Sequence, residues 1–238
     1  MNGILLIDKP KEYTSHDVVA IVKKISKERV GHTGTLDPNA TGVLPLLIGK
    51  ATLISKYLIN HDKTYIATVK LGIKTDTADS EGKVIEEKEV IDLNTEIVRK
   101  VFNDMIGKQK QIPPMYSAIK VNGKKLYEYA RNGEEIKIAP RDIEIYSIKL
   151  LELNNKEAEI TFEISCSKGT YIRTVCEEIA ERLNTVGYMK DLRRIRVGEF
   201  DINQAINIED IKNNTSLLEE KIIPIENFFI KKRKNRII

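Results

Sequence analysis

Hydrophobic positions recur along this chain with two different periods, and the change from one to the other marks out its elements. The apolar run Ile4 to Ile7 ends at the turn-like Asp8-Lys9-Pro10 and predicts a short strand. Ser15 then predicts the cap of a helix whose apolar face is Val18, Ile21, Val22 and Ile25. Tyr65, Ala67, Val69 and Leu71 alternate with Ile66, Thr68 and Lys70, so Tyr65 opens a strand. The helical period returns from Thr95 to Ile106, with Ile97, Val98, Val101, Phe102 and Met105 on one side and Gly107 placed to end it.

Between Ile112 and Arg141 the turn signals Pro113-Pro114, Asn122-Gly123 and Asn132-Gly133 break the chain into short pieces around one helical turn at Leu126–Arg131. A protruding insertion is expected there. Ile143 to Leu153 and Ala158 to Cys166 predict a hairpin across Asn154-Asn155-Lys156. A further helix is expected from about Thr170, with Val175, Cys176, Ile179 and Leu183 inward and Glu178 four residues before Arg182. Strands gathered with helices and hairpins in this order predict an α+β fold with a mixed, largely antiparallel sheet.

Length, charge and cysteine usage narrow the picture further. A chain of 238 residues, 41% of them hydrophobic, suits one large domain, or one domain plus a small appendage. The formal charge of +4 suits a nucleic-acid partner without requiring one. Cys166 and Cys176 form no CxxC pair, no apolar run is long enough to span a bilayer, and a reduced, cytoplasmic protein is expected. His16, His32 and His61 belong to separate segments away from either cysteine, so no zinc spacing exists. Gly49-Lys50 lacks the glycine spacing of a phosphate loop, and Asp76, Asp79 and Glu81 lack calcium-loop spacing and suit a plain turn.

One segment fits neither period. Gly31-His32-Thr33-Gly34-Thr35-Leu36-Asp37-Pro38-Asn39-Ala40-Thr41-Gly42 is too polar for a core element and has the composition of a site loop. Within it Asp37 precedes a proline, which restricts its backbone to an extended or turn conformation and can present the carboxylate to a ligand. A lone Asp-Pro usually only starts a turn.

The longer stretch GHTGTLDPNATGVLPLLIGKAT, Gly31 to Thr52, resembles the catalytic motif of the TruB family, the bacterial tRNA pseudouridine-55 synthases. Five further segments match in order: LLIDKP at Leu5–Pro10, DKTY at Asp62–Tyr65, PPMYSAIKVNGKKLYEYAR at Pro113–Arg131, CSKGTYIRT at Cys166–Thr174 and LRRIRVG at Leu192–Gly198. The resemblance implies the pseudouridine synthase fold, a mixed, mostly antiparallel central sheet flanked by helices with an RNA-gripping insertion at about 112–141. It implies a catalytic domain over residues 1–200, with 201–238 as an extension that ends in the basic tail Lys231–Arg236 and lacks a full PUA domain. A guided synthase of the related dyskerin type, which docks guide RNA through such a domain, is therefore not expected.

The implied activity is that of an isomerase converting uridine 55 in the T-arm of tRNA to pseudouridine. Asp37 would be the catalytic carboxylate, attacking the ribose or the uracil ring or abstracting a ribose proton; the sequence does not choose among these. Arg173 matches the arginine that pairs with this aspartate, and a guanidinium can hold a carboxylate through two hydrogen bonds. Tyr65 matches a tyrosine that stacks on the flipped base, Tyr171 and Leu192 match pocket residues, and His32 matches an RNA contact. Lys190, Arg193, Arg194, Arg196 and the insertion's Lys120, Lys124 and Lys125 are candidate phosphate contacts. No metal or cofactor, no guide RNA and no membrane are expected, and the enzyme is expected to be a monomer.

Overall fold

The structure is a computed structural model that describes residues 1–225 apart from 92, 118 and 135. The basic tail Lys231–Arg236 lies outside the described residues. In chain order the elements are β1 (Gly3–Lys9), α1 (Ser15–Ser26), β2 (Val30–His32), β3 (Thr41–Ile48), a 3₁₀ turn (Gly49–Ile54), α2 (Ser55–Leu58), β4 (Lys63–Leu71), β5 (Ile73–Thr75) and β6 (Val84–Glu87). There follow α3 (Thr95–Asp104), β7 (Gly107–Gln111), β8 (Lys120–Val121), β9 (Lys124–Lys125), α4 (Leu126–Arg131), β10 (Arg141–Asn154), β11 (Glu159–Cys166), α5 (Ile172–Arg182) and β12 (Gly187–Val197). The described chain closes with β13 (Phe200–Asp201), β14 (Ile206–Asn207), α6 (Ile208–Asn213), α7 (Ser216–Lys221) and β15 (Ile223–Pro224).

These elements form two compact units. Met1–Thr64 with the chain from Arg193 onward makes the first, and Tyr65–Leu192 the second, so the chain crosses between them inside β4 and again inside β12.

In the first unit β3 lies antiparallel to β1 and β2 and pairs in parallel with β12 at Arg193 and Arg194. All eight residues of β3 except Thr41 are buried, the near-continuous apolar run expected of a strand covered on both faces. Its core packs Ile4, Leu6, Val43, Leu47 and Leu58 with Val197 and Phe200. Residues beyond 200 belong to this unit: β14 pairs in parallel with Ile7 and Asp8, and β15 runs antiparallel to Gly3 and Ile4. Helix α1 is capped by Thr14, not by Ser15. The Thr14 side chain accepts from Asp17 N while Asp17 accepts from Thr14 N, the reciprocal capping box. Ser15 instead turns its hydroxyl to Leu36.

In the second unit the strand order is β4-β11-β10-β7, with β10 antiparallel to both neighbours. Alternate residues of β4 from Tyr65 to Leu71 are buried, as the period-two pattern predicts. Val98, Val101 and Phe102 of α3 and Val175, Cys176 and Ile179 of α5 are the buried positions of amphipathic helices. Phe102 meets Phe162 at a centroid separation of 5.6 Å. In the insertion, Asn122-Gly123 makes the turn of the β8–β9 hairpin, with Asn122 and Gly123 at φ 50° and 84°. The expected helical turn is α4.

Candidate active site

The candidate residues occupy both units: Asp37 and His32 the first, Tyr65, Tyr171, Arg173 and Leu192 the second. In the first unit the loop between β2 and β3 carries Asp37 at the start of a turn, in which Ala40 N–H donates to the Asp37 carbonyl (3.1 Å) and Pro38 takes the position its fixed φ suits. The Asp37 side chain is half-buried, whereas the main chain around it is anchored from three directions.

Ser15, buried at the start of α1, bonds both main-chain groups of Leu36: Leu36 N–H donates to its Oγ (2.9 Å), and the hydroxyl donates to Leu36 O (3.2 Å). Lys9, at the end of β1 and 0% exposed, donates to Pro10 O (2.8 Å), Tyr13 O (2.6 Å) and Pro38 O (2.9 Å). Burial pushes the Lys9 ammonium down to about 8, against the opposing pull of the Asp37 carboxylate and with the help of the nearby Arg194 charge. Arg194, 1% exposed, donates from Nε to Val43 O (2.9 Å), and its terminal nitrogens reach Gly34 O (3.1 Å) and Thr35 O (3.5 Å). A serine, a lysine and an arginine thus hold the loop on both sides of Asp37 through main-chain atoms. A carboxylate on a backbone so restrained is set in one place without a large ordering cost when it meets a substrate.

His32 accepts from Gly34 N–H at Nδ1 (3.3 Å), so its neutral form carries the proton on Nε2. The edge of the His16 ring meets it at 5.5 Å between centroids. Burial, then the His16 and Arg194 charges, hold the His32 imidazolium below the usual histidine range.

In the second unit Arg173 is 6% exposed in the first turn of α5. It donates to Tyr116 O (2.8 Å) and Thr77 O (3.2 Å), and Asp79 Oδ2 lies 3.5 Å from its Nη1. The turn that carries Asp79 is tied internally. Thr77 Oγ1 and Glu81 N donate to Asp79 Oδ1 (2.6 and 3.1 Å), and Thr75 Oγ1 donates to Asp79 O (2.7 Å). A turn is what the residues 76–81 predict, and its service to Arg173 is what they do not reveal. Tyr65 is buried on β4, Leu192 is buried on β12, and Tyr171 is half-buried as the N-cap residue of α5. Among the described residues no group of three or more His, Cys, Asp or Glu side chains is arranged to hold a metal ion.

One candidate phosphate contact, Arg194, is overturned. Arg194 is buried among carbonyl oxygens and does not offer its charge at the surface. Arg193 grips Asp8 with two hydrogen bonds (3.1 and 2.7 Å), Lys190 pairs with Glu159 (2.6 Å), and Arg196 lies 3.5 Å from Asp201. Lys120 and Lys124 of the β8–β9 hairpin are exposed. Lys124 and Lys125 sit over the Tyr129 and Tyr127 rings at 5.6 and 5.3 Å.

The mixed, mostly antiparallel sheet with its flanking helices is a pseudouridine synthase fold, and it recurs in a solved structure. A protein chain in the crystal structure of a Cbf5-Nop10-Gar1 complex superposes with a TM-score of 0.74 at 29% identity, over 94% of this chain and 60% of that one. TruB family pseudouridylate synthase (N terminal domain) matches residues 22–172, and tRNA pseudouridylate synthase B C-terminal domain matches 173–229. tRNA pseudouridine synthase B of Alkaliphilus oremlandii is 48% identical over 227 residues, 95% of this chain and 75% of that protein. The protein of the same description from Clostridium tetani is 47% identical, over 95% of this chain and 77% of its own length. The chain belongs to the TruB family.

Proposed function

We propose that this protein is a tRNA pseudouridine synthase that isomerises uridine 55 in the T-arm, with Asp37 as its catalytic carboxylate. The observation that carries the reading is the loop of Asp37. Three buried polar side chains, Ser15, Lys9 and Arg194, bond its main chain and fix where the half-buried carboxylate stands.

The reaction breaks the bond from the ribose carbon to the uracil nitrogen and makes one to a uracil carbon, with no net change of oxidation state. A base stacked in the folded T-arm is out of reach of a side chain, so the nucleotide must leave its stack at a cost of a few kcal/mol. Contacts to the rest of the RNA offset that cost. Tyr65 provides an aromatic face for the extruded uracil, Tyr171 and Leu192 line its pocket, Arg173 supplies a fixed positive charge, and His32 contacts the RNA. The hairpin lysines 120, 124 and 125 hold phosphates. The enzyme works as a monomer in the cytoplasm, needs neither guide RNA nor cofactor, and recognises the T-arm directly.

The test is turnover on an unmodified tRNA transcript with the modified nucleotide mapped. Wild type converts the T-arm uridine, and Asp37→Asn, which keeps the shape and removes the charge, forms no pseudouridine while still binding tRNA. Full activity in Asp37→Asn would sink the assignment.

A further inference from the structure

Gln111 is the last residue of β7 and is 6% exposed, a poor place for an amide unless both its ends are satisfied. They are satisfied by one residue. Gln111 Oε1 accepts from Tyr171 N–H (2.8 Å) and Nε2 donates to Tyr171 O (3.1 Å), so the side chain pairs with Tyr171 as a neighbouring strand's peptide would. Tyr171 makes no side-chain capping bond of its own, and its carbonyl also accepts the first helical bond of α5 from Val175 N–H (3.1 Å). The amide therefore acts at the point where α5, with Arg173 in its first turn, begins.

The place from which it acts is also informative. Gln111 pairs with Arg141 across β7 and β10, so the insertion leaves and re-enters the sheet at this one pair of residues. Five residues further, Tyr116 O accepts from Arg173 (2.8 Å). The root of the insertion thus bonds Tyr171 through one residue and Arg173 through another.

We propose that Gln111 is a positioning residue for the reaction: its amide holds the main chain of Tyr171 and thereby sets where Tyr171 and Arg173 present their side chains. The proposal rests on the function proposed above. A displacement of about 1 Å at a reacting centre costs up to roughly a hundredfold in rate, so loss of the clamp is read in turnover more than in affinity.

Gln111→Leu is the sharp variant, because at similar volume it removes both the acceptor for Tyr171 N–H and the donor to Tyr171 O. Gln111→Met removes both bonds as well. With saturating unmodified tRNA, the single-turnover rate of each falls about tenfold or more while the tRNA dissociation constant stays within about twofold. A folded variant that turns over within about twofold of wild type, or that loses affinity alone, overturns the proposal. Should neither variant fold, amide exchange on the wild-type chain decides: Tyr171 N–H is protected like the amides of β10 and β11, and exchange at the rate of an open loop overturns the clamp. Wild type and Asp37→Asn are assayed alongside. An inactive wild type speaks against the function, whereas an active wild type with unaffected Gln111 variants speaks against this proposal alone.

Discussion

The residues that serve the candidate site do so mostly through main-chain atoms. Lys9, Ser15 and Arg194 together engage carbonyls or amides of Gly34, Thr35, Leu36, Pro38 and Val43, and Gln111 does the same for Tyr171. His32 adds a titratable group to this setting. In the unfolded chain its imidazolium returns to about 6.5, whereas burial and the His16 and Arg194 charges lower it in the folded state. Below that value the unfolded state binds the proton more readily, so the His32 contribution is present above pH about 6.5 and is lost as the pH falls through the folded value. His32→Phe should therefore lose less stability than wild type between pH 7 and about 5.5. Urea midpoints of both proteins at the two pH values check this, and parallel losses would refute it.

At the scale of elements, the strand carrying the site loop begins where only glycine fits. Gly42 has φ of 110°, and a Cβ there would stand 2.1 Å from the carbonyl oxygen of Arg194, backbone against backbone. Gly42→Ala is expected to cost about 2 kcal/mol or more, since it must either strain φ or open the β3–β12 pairing. A urea midpoint equal to that of wild type would show that the pairing yields without penalty.

Element type and order were largely readable in advance. The alternation from Tyr65 to Leu71, the helices α1, α3 and α5, and α4 within the insertion all follow from local period and turn chemistry. The misjudged details are those that a neighbour decides. Ser15 and Thr14 are both acceptable caps, and Ser15 is drawn off by Leu36, which lies 21 residues away. Strand β12 was legible only as a motif, and the short strands after residue 200 carry too few residues for a period to show.

At the scale of the molecule, the formal charge of +4 is the small difference between 39 basic and 35 acidic side chains. Binding to RNA then depends on where the cations stand more than on their sum. The hairpin lysines are expected to dominate. Replacing Lys120, Lys124 and Lys125 by alanine should weaken tRNA binding at low salt and flatten the plot of log affinity against log salt by about 0.7 to 0.9 for each phosphate no longer neutralised. Turnover at saturation should change little. Affinities measured over a salt series give the slope, and a slope equal to that of wild type would remove the hairpin from the RNA-binding surface.

What the chain determined by itself was the local part: the periods that name its elements, the turn at Asp37-Pro38, and an ordered set of motifs that marks the family and its candidate residues. What the tertiary structure alone decided was the use of its buried polar side chains. Arg194 reads as a surface cation and is an internal brace. Gln111 reads as an ordinary strand residue and holds Tyr171. Residues 206–224 read as an extension and supply two partners of β1. The physical reason is common to the side-chain cases. A bond to a main-chain carbonyl or amide is open to every residue type, so the partner leaves no mark in the sequence, and only the path of the folded chain brings the two ends together.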